Sequence, residues 1–324
     1  MSHEIDFSTG VPAVAYAGEV PWHGLGARID DPNMPLEKWR EAAQLDWEYK
    51  LSPLACRIDG FWTQMPSRRA IVRSDTEEPL GIVSDRYKLV QPMEVIEFFR
   101  SLIDQHGFQM ETAGALKSGR KIWALARVSD DMQIAGNDAV SPYVLLATGV
   151  DGELATTASF TTVRVVCNNT FTLAMEKAEN TGSVKVTHSQ VFDPTVVKGK
   201  LNIGSTFDNF TEQAQRLSRF KLTDKQTVTF LLHMFGDATK ELNDQPNVRN
   251  MKLVYGLYKG KGIGSDMQGS HGTAWGLFNA MTEFTDFARK SISQDTRLHS
   301  AWFGPSNRLK QRAWDYLLRE EEAA

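Results

Sequence analysis

The sequence predicts an α+β protein: an antiparallel, sheet-rich N-terminal half built on a β-β-β-α core, then an α-helical C-terminal half. Three observations carry this. Short β-prone runs bounded by turn formers succeed one another from Trp47 to Val166. Apolar residues at three- and four-residue steps take over after Phe192-Asp-Pro194. A chain of 324 residues also exceeds one ordinary domain. The expected division is an irregular arm over 1–33, an α+β domain over 34–190 and a helical domain over 191–324.

In order along the chain, residues 1–33 carry many turn formers (Gly10, Pro12, Gly18, Pro21, Gly24, Gly26, Pro32) and little periodicity. A short helix is expected from Leu36 to Leu45, with Pro35 near its first turn. Strands are expected over Trp47–Leu54, Ala70–Ser74 and Leu80–Val83, with Asp59-Gly60 and Glu77-Glu-Pro79 as turns. Met93, Ile96, Phe99, Leu102 and Ile103 have helical spacing, so Pro92–His106 reads as a helix ended by Gly107.

Strands follow at Phe108–Thr112, Lys121–Val128, Tyr143–Thr148, Leu154–Phe160 and Thr162–Val166, with Val150-Asp-Gly-Glu153 as a hairpin turn. A helix is expected from Asn169 to about Glu179, capped by Asn168 or Thr170, and Val184–His188 adds a strand. Helices are then expected over about Thr195–Phe220, Asp224–Met234, Asn247–Tyr258, Ala274–Ser293 and Ser306–Arg319. Thr223-Asp-Lys-Gln226 has the spacing of a capping box.

Composition narrows the function classes. A chain 41% hydrophobic and 23% charged is that of a soluble globular protein, and no apolar run reaches the length of a membrane span. The polar, acidic start Met1-Ser-His-Glu-Ile-Asp6 is unlike a secretion signal, so a cytoplasmic location is expected. Two cysteines, Cys56 and Cys167, are too few for a disulfide framework and read as two buried, reduced thiols. The net charge of −4 argues against a wholly cationic binding surface, yet Pro246–Arg319 holds eleven Lys and Arg against five acids. Local positive potential of that kind suits phosphate contacts, and a solvated basic face is the plain alternative.

The motifs favour binding over chemistry. Asp151–Thr170 is expected to display Arg164 and many Thr hydroxyls on a sheet, with no acid–base pair beside them. Pro21-Trp-His-Gly-Leu-Gly26 offers Trp22 as a ring for stacking, or as a core anchor. Lys259-Gly-Lys-Gly-Ile-Gly-Ser265 is Gly-rich and basic but lacks the Gly-Lys-Ser/Thr of a phosphate loop, leaving a backbone-contacting loop or a linker. Asn279, Glu283 and Asp286 share a helix face, without the histidine pairing that a metal site on a helix needs. The seven histidines lack ligand spacing, so no metal, no cofactor and no catalytic residue is assigned.

Pro21-Trp-His-Gly-Leu-Gly26, Val83-Ser-Asp-Arg-Tyr-Lys-Leu-Val-Gln91, the Asp151–Thr170 segment, Gly272-Thr-Ala-Trp-Gly-Leu-Phe-Asn-Ala280 and Ser300-Ala-Trp-Phe-Gly304 follow one another along the chain as an ordered series. In these the chain resembles the phage- and plasmid-like proteins carrying domain of unknown function 932, found in phages, prophages and plasmids. The resemblance implies a mobile-element protein of the host cytoplasm and brings no settled activity. The stretch from Lys121 to Glu179 is also similar in topology to the core of single-strand annealing recombination proteins, a fold-level analogy.

The function expected from these readings is a non-enzymatic DNA-binding accessory protein, annealing-like, serving recombination or replication. It would act on single-stranded DNA as a homo-oligomer. Lys117, Arg120, Lys121 and Arg164 would meet phosphates, Trp123 or Trp22 would stack on bases, and Lys259 and Lys261 would close the groove. The alternative is a protein-interaction module acting on a host or phage complex, for example a host-defence inhibitor. A third reading is an enzyme using Cys167 or the Asn279/Glu283/Asp286 face.

Overall fold

The computed structural model describes residues 5–18, 25–31, 34–164, 166, 169–172, 183–201, 203–237, 240, 245–290, 300–302 and 304–324. It is α+β, with its sheets in the N-terminal half and its helices mostly in the C-terminal half, as the sequence predicts. The chain divides into two compact units. The first gathers Met1–Ser129, Tyr143–Phe160 and Met175–Leu201; the second gathers Asp130–Pro142, Thr161–Ala174 and Asn202–Ala324.

The elements run β1 (Val14–Ala17), β2 (Ala27–Ile29), α1 (Leu36–Ala42), β3 (Tyr49–Ile58), β4 (Phe61–Arg73), β5 (Pro79–Ser84), α2 (Pro92–Glu97), α3 (Arg100–His106), β6 (Gln109–Leu116) and β7 (Lys121–Arg127). They continue with β8 (Met132–Ala135), β9 (Asp138–Gly149), β10 (Thr156–Arg164), β11 (Asn169–Thr172), β12 (Ser183–Val186), α4 (Pro194–Leu201), α5 (Ile203–Arg219), α6 (Asp224–Phe235), α7 (Val248–Gly256), α8 (Ala274–Glu283) and α9 (Pro305–Glu322). Wide π-type turns extend α7 over Leu257–Lys261 and α8 over Phe284–Ala288.

In the first unit the larger sheet has the order β2-β1-β6-β7-β9-β10, with β12 on β10. Its centre is apolar on both faces: Ala113, Ile122, Ala124, Val144, Leu145 and Leu146 are fully buried, and α2 packs on β7. The irregular arm expected over 1–33 is corrected where it is described. β1 is buried throughout, antiparallel to β6 and parallel to β2. Gly114 lets β1 close on β6, since a Cβ there would meet the Ala13 carbonyl oxygen at 2.7 Å. Periodic reading missed β1 because its four residues lie inside a run of turn formers.

Two further differences have local causes. The expected helix over 92–106 breaks at Phe98 and Phe99, both fully buried, giving α2 and α3. Asn169–Thr172 is strand β11 and not the start of a helix: it pairs antiparallel with β10, from Thr161↔Thr172 to Arg164↔Asn169. Tertiary pairing there overrides the Asn-Asn-Thr capping signal. The rest of that expected helix, 173–179, lies outside the described residues.

The smaller sheet of the first unit is β3-β4-β5. β3 and β4 pair from Tyr49↔Arg73 to Ile58↔Phe61, with an irregularity after Pro53, whereas β5 reaches only Arg68–Val72 of β4. Beyond that point the two strands form a ribbon. Asp59 (φ 49°) and Gly60 (φ 89°) close it as a two-residue turn with both φ values positive, the hairpin geometry Asp-Gly favours. At the base, Arg73 is fully buried, ion-paired to Asp6 and Asp75 and stacked 4.2 Å from the Trp47 ring centroid.

The second unit is helical around an aromatic cluster. Phe210 stacks on Trp314 at 5.3 Å, Phe278 meets Trp314 edge-on at 4.9 Å, and Trp275 packs against Phe278. The Trp275 indole N–H donates to buried Asp138 at the start of β9 (2.8 Å). The capping box at Thr223 is present in full, with both Thr223 and Gln226 side chains engaged. Lys310 and Asp286 form a buried ion pair of 2.9 Å. Among the described residues no helix is long and apolar enough to cross a membrane.

Candidate nucleic-acid interface

The β6–β7 turn brings Lys117, Arg120 and Lys121 together, as the hairpin reading expects, but it also brings their counter-charges. Lys121 is 2% exposed, with its ammonium 2.7 Å from Glu153 and 3.4 Å from Asp151 of the β9–β10 turn. That hydrogen bond and charge hold the Glu153 carboxyl down at about 2. Lys117 also faces Glu153 at 3.4 Å. Arg120 donates to the carbonyls of Leu80 (3.0 Å) and Lys117 (3.2 Å) and lies 3.5 Å from Glu78. These cations clasp two turns of the first unit to each other.

Trp123 is buried in the middle of β7 and presents no open ring for a base, which corrects its expected stacking role. Burial of Lys121 likewise removes it as an accessible phosphate contact. The hydroxyl-bearing sheet face is corrected too. Thr148, Thr156, Thr157, Ser159, Thr161 and Thr162 are all buried, and Thr148 and Thr156 share a 2.8 Å hydrogen bond. Trp22 and the side chain of Arg164 lie outside the described residues, as does Cys167.

The remaining two expected contacts separate. Lys259 is ion-paired to Asp224 at 2.6 Å and lies over the rings of Tyr255 and Tyr258 (5.5 and 5.4 Å). Its pKa is raised, first by the hydrogen bond to Asp224. Lys261, two residues on, turns the other way. Its stem folds back over Gly256 of α7, where an added Cβ would sit 3.4 Å from the lysine Cδ.

There Lys261 joins Arg249 and Lys252, with Val248 and Leu253, around an open concavity of about 530 Å³. Arg249 and Lys252 are three apart on α7 and so share a face. No hydrogen bond or ion pair joins any of these three cations to a described residue. The wide turn over Leu257–Lys261, with Gly260 at φ 114°, is what returns the chain to its own helix. Sequence reading counted Arg249 and Lys252 among the basic residues without separating them from neutralised neighbours. The signal available was their spacing on one helix with no acid between them.

The Asn279/Glu283/Asp286 face has structural tasks. Asn279 donates to the Trp275 carbonyl, Glu283 accepts from the Ile263 backbone N–H, and Asp286 holds Lys310. No cluster of three metal-ligating side chains occurs among the described residues.

Comparison with curated proteins and with solved structures gives no match. The model of one family, described as a domain of unknown function (DUF932), matches residues 79–302, from β5 to the segment just before α9. That is more than half of the chain, and the protein belongs to the DUF932 family.

Proposed function

We propose that this protein binds nucleic acid, with Arg249, Lys252 and Lys261 of the second unit contacting backbone phosphates. The observation that carries the reading is the gathering of these three cations around one concavity without a counter-ion among the described residues. Like charges at this helical spacing repel, so the arrangement costs free energy in the unbound protein. A polyanion relieves that cost and releases its own condensed counter-ions. Net acidity does not oppose this, because phosphate contacts respond to local potential. The setting we propose is recombination or replication of DNA, as a cytoplasmic oligomer. What supports that setting is the sequence resemblance to proteins of mobile elements.

Salt dependence tests the reading. Three phosphate contacts on a single strand give a slope of log K against log salt of about −2, a roughly twentyfold loss of affinity between about 50 and 200 mM salt. The double variant Lys252→Glu/Lys261→Glu is expected to flatten that slope and abolish most binding. Wild-type protein that binds no oligonucleotide at about 50 mM salt, or a double variant with an unchanged slope, overturns the reading.

A further inference from the structure

The β3–β4 ribbon takes no part in the concavity of α7, and it precedes the segment matched by the family model. Its outer part pairs Ala55–Ile58 with Phe61–Gln64 and, among the described residues, has no third strand beside it. Four residue pairs extend about 14 Å at the rise of an antiparallel strand. Two strands alone are marginal in water, so the packed base, where Tyr49 and Ile71 are buried, must hold the ribbon in place.

Its side chains are not those of a solvated hairpin. Phe61 is 78% exposed, Trp62 75% and Ile58 53%, with Met65 at 37%. One exposed apolar residue is ordinary, but four near one tip, spread over both faces of the ribbon, are not. The same segment is cationic: over residues 50–72, Lys50, Arg57, Arg68 and Arg69 face a single carboxylate, Asp59. None of these four has an ion pair among the described residues. Arg57, whose Nε–H donates to the Gly60 carbonyl at 3.2 Å, stands directly across the ribbon from Trp62. Phe61 and Ile58 oppose each other on the other face.

We infer that this ribbon is an arm for single-stranded nucleic acid. Unpaired bases stack on Trp62 on one face and, where the strand passes round the tip, on Phe61 on the other. Arg57 meets the adjoining phosphates, and Arg68 and Lys50, nearer the base, meet later ones. Rings interleaved with unpaired cations match a strand that offers π-faces and negative charge in alternation. An arm built to dock a protein would be served by the apolar tip alone, without an excess of three positive charges. Paired bases hide their faces in the duplex stack, so the arm selects single strands. The proposal rests on the nucleic-acid reading and adds a second, separate contact site to it.

The test is anisotropy binding of the full chain to a labelled oligothymidylate and to a duplex of equal length. Wild type is compared with Trp62→Ala, Trp62→Phe, Arg57→Ala and the Lys252→Glu/Lys261→Glu variant. Trp62→Ala is expected to bind the single strand roughly 5- to 150-fold more weakly, the range for losing one stacked base. It should change duplex binding less than about twofold, and Trp62→Phe should keep most of the affinity because a ring remains. These side chains are exposed, so unchanged thermal unfolding will certify the fold.

Single-strand affinity unaltered in Trp62→Ala overturns the arm. If the Lys252→Glu/Lys261→Glu variant still loses binding in that case, the proposed function survives without it. Failure of the wild-type chain to bind either oligonucleotide overturns both. A defined protein partner lost on Trp62→Ala, with single-strand affinity intact, overturns the arm in favour of protein docking.

Discussion

The Lys310–Asp286 pair offers the sharpest test of the energetics of the second unit. Lys310 is fully buried and Asp286 is 6% exposed, with 2.9 Å between ammonium and carboxylate. Burial already pulls the lysine pKa below its ordinary value, with Asp286 as the opposing influence. Asp286→Asn removes the carboxylate that faces the buried Lys310 ammonium at 2.9 Å. Breaking a buried pair in this one-sided way costs about 3–5 kcal/mol. At about 2–4 °C per kcal/mol for a unit of this size, the unfolding midpoint should fall by about 6–20 °C at neutral pH.

The pH dependence carries the mechanism. In the variant, Lys310 folds best neutral, so its folded pKa drops further below the unfolded value near 10.5. The unfolded chain then binds the extra proton, and stability rises with pH until the unfolded lysine also deprotonates. Calorimetry at neutral pH and at about pH 9.5 should therefore show partial recovery of the Asp286→Asn midpoint. Replacing both partners, as Lys310→Met with Asp286→Leu, should return the midpoint close to wild type, because an apolar pair removes the buried charge altogether. An Asp286→Asn midpoint within about 2 °C of wild type, or one flat with pH, would refute the reasoning.

Other expectations follow from the same geometry. Glu153 has its folded pKa depressed to about 2, chiefly by the Lys121 hydrogen bond. Its contribution is fully present above the unfolded value of 4.5 and is lost as pH falls from there through about 2. Lys121→Met should remove that acid-sensitive component from a stability–pH profile; the effect will be modest because Glu153 is largely solvent-screened. Gly276→Ala should destabilise the second unit by about 1–3 kcal/mol, measured by denaturant unfolding, since a Cβ there would overlap the Ser270 carbonyl. A neutral outcome would mean the turn before α8 yields freely.

Much of the fold was legible because it is written in local patterns. The capping box at Thr223, the Asp59-Gly60 turn and the helical spacing after Pro194 each act within a few residues, and each is present. The candidate site was less legible because charge pairing is not local. Lys121 and Glu153 are 32 positions apart in the chain, and only the folded sheet brings them to 2.7 Å. Lys259 and Lys261 look alike in sequence, yet a turn of the backbone sends one to Asp224 and the other over Gly256. The ribbon escaped notice for a related reason. Phe61 and Trp62 are ordinary strand residues, and their exposure depends on how far a third strand extends. β5 spans six residues beside the ten of β3 and thirteen of β4. A mismatch in strand length around a tight turn is the cue that would have exposed it.

The route of the chain between the two units has a consequence for its synthesis. The backbone passes from one unit to the other five times, with β9 and β10 each contributing residues to both. On a ribosome, the first unit lacks its last segment until Leu201 has emerged, by which time residues 130–142 and 161–174, which belong to the second, have already been made. Neither unit can be finished by vectorial folding before the other has begun. Two of the five crossings fall inside strands, β9 and β10, so no single truncation point releases either unit intact.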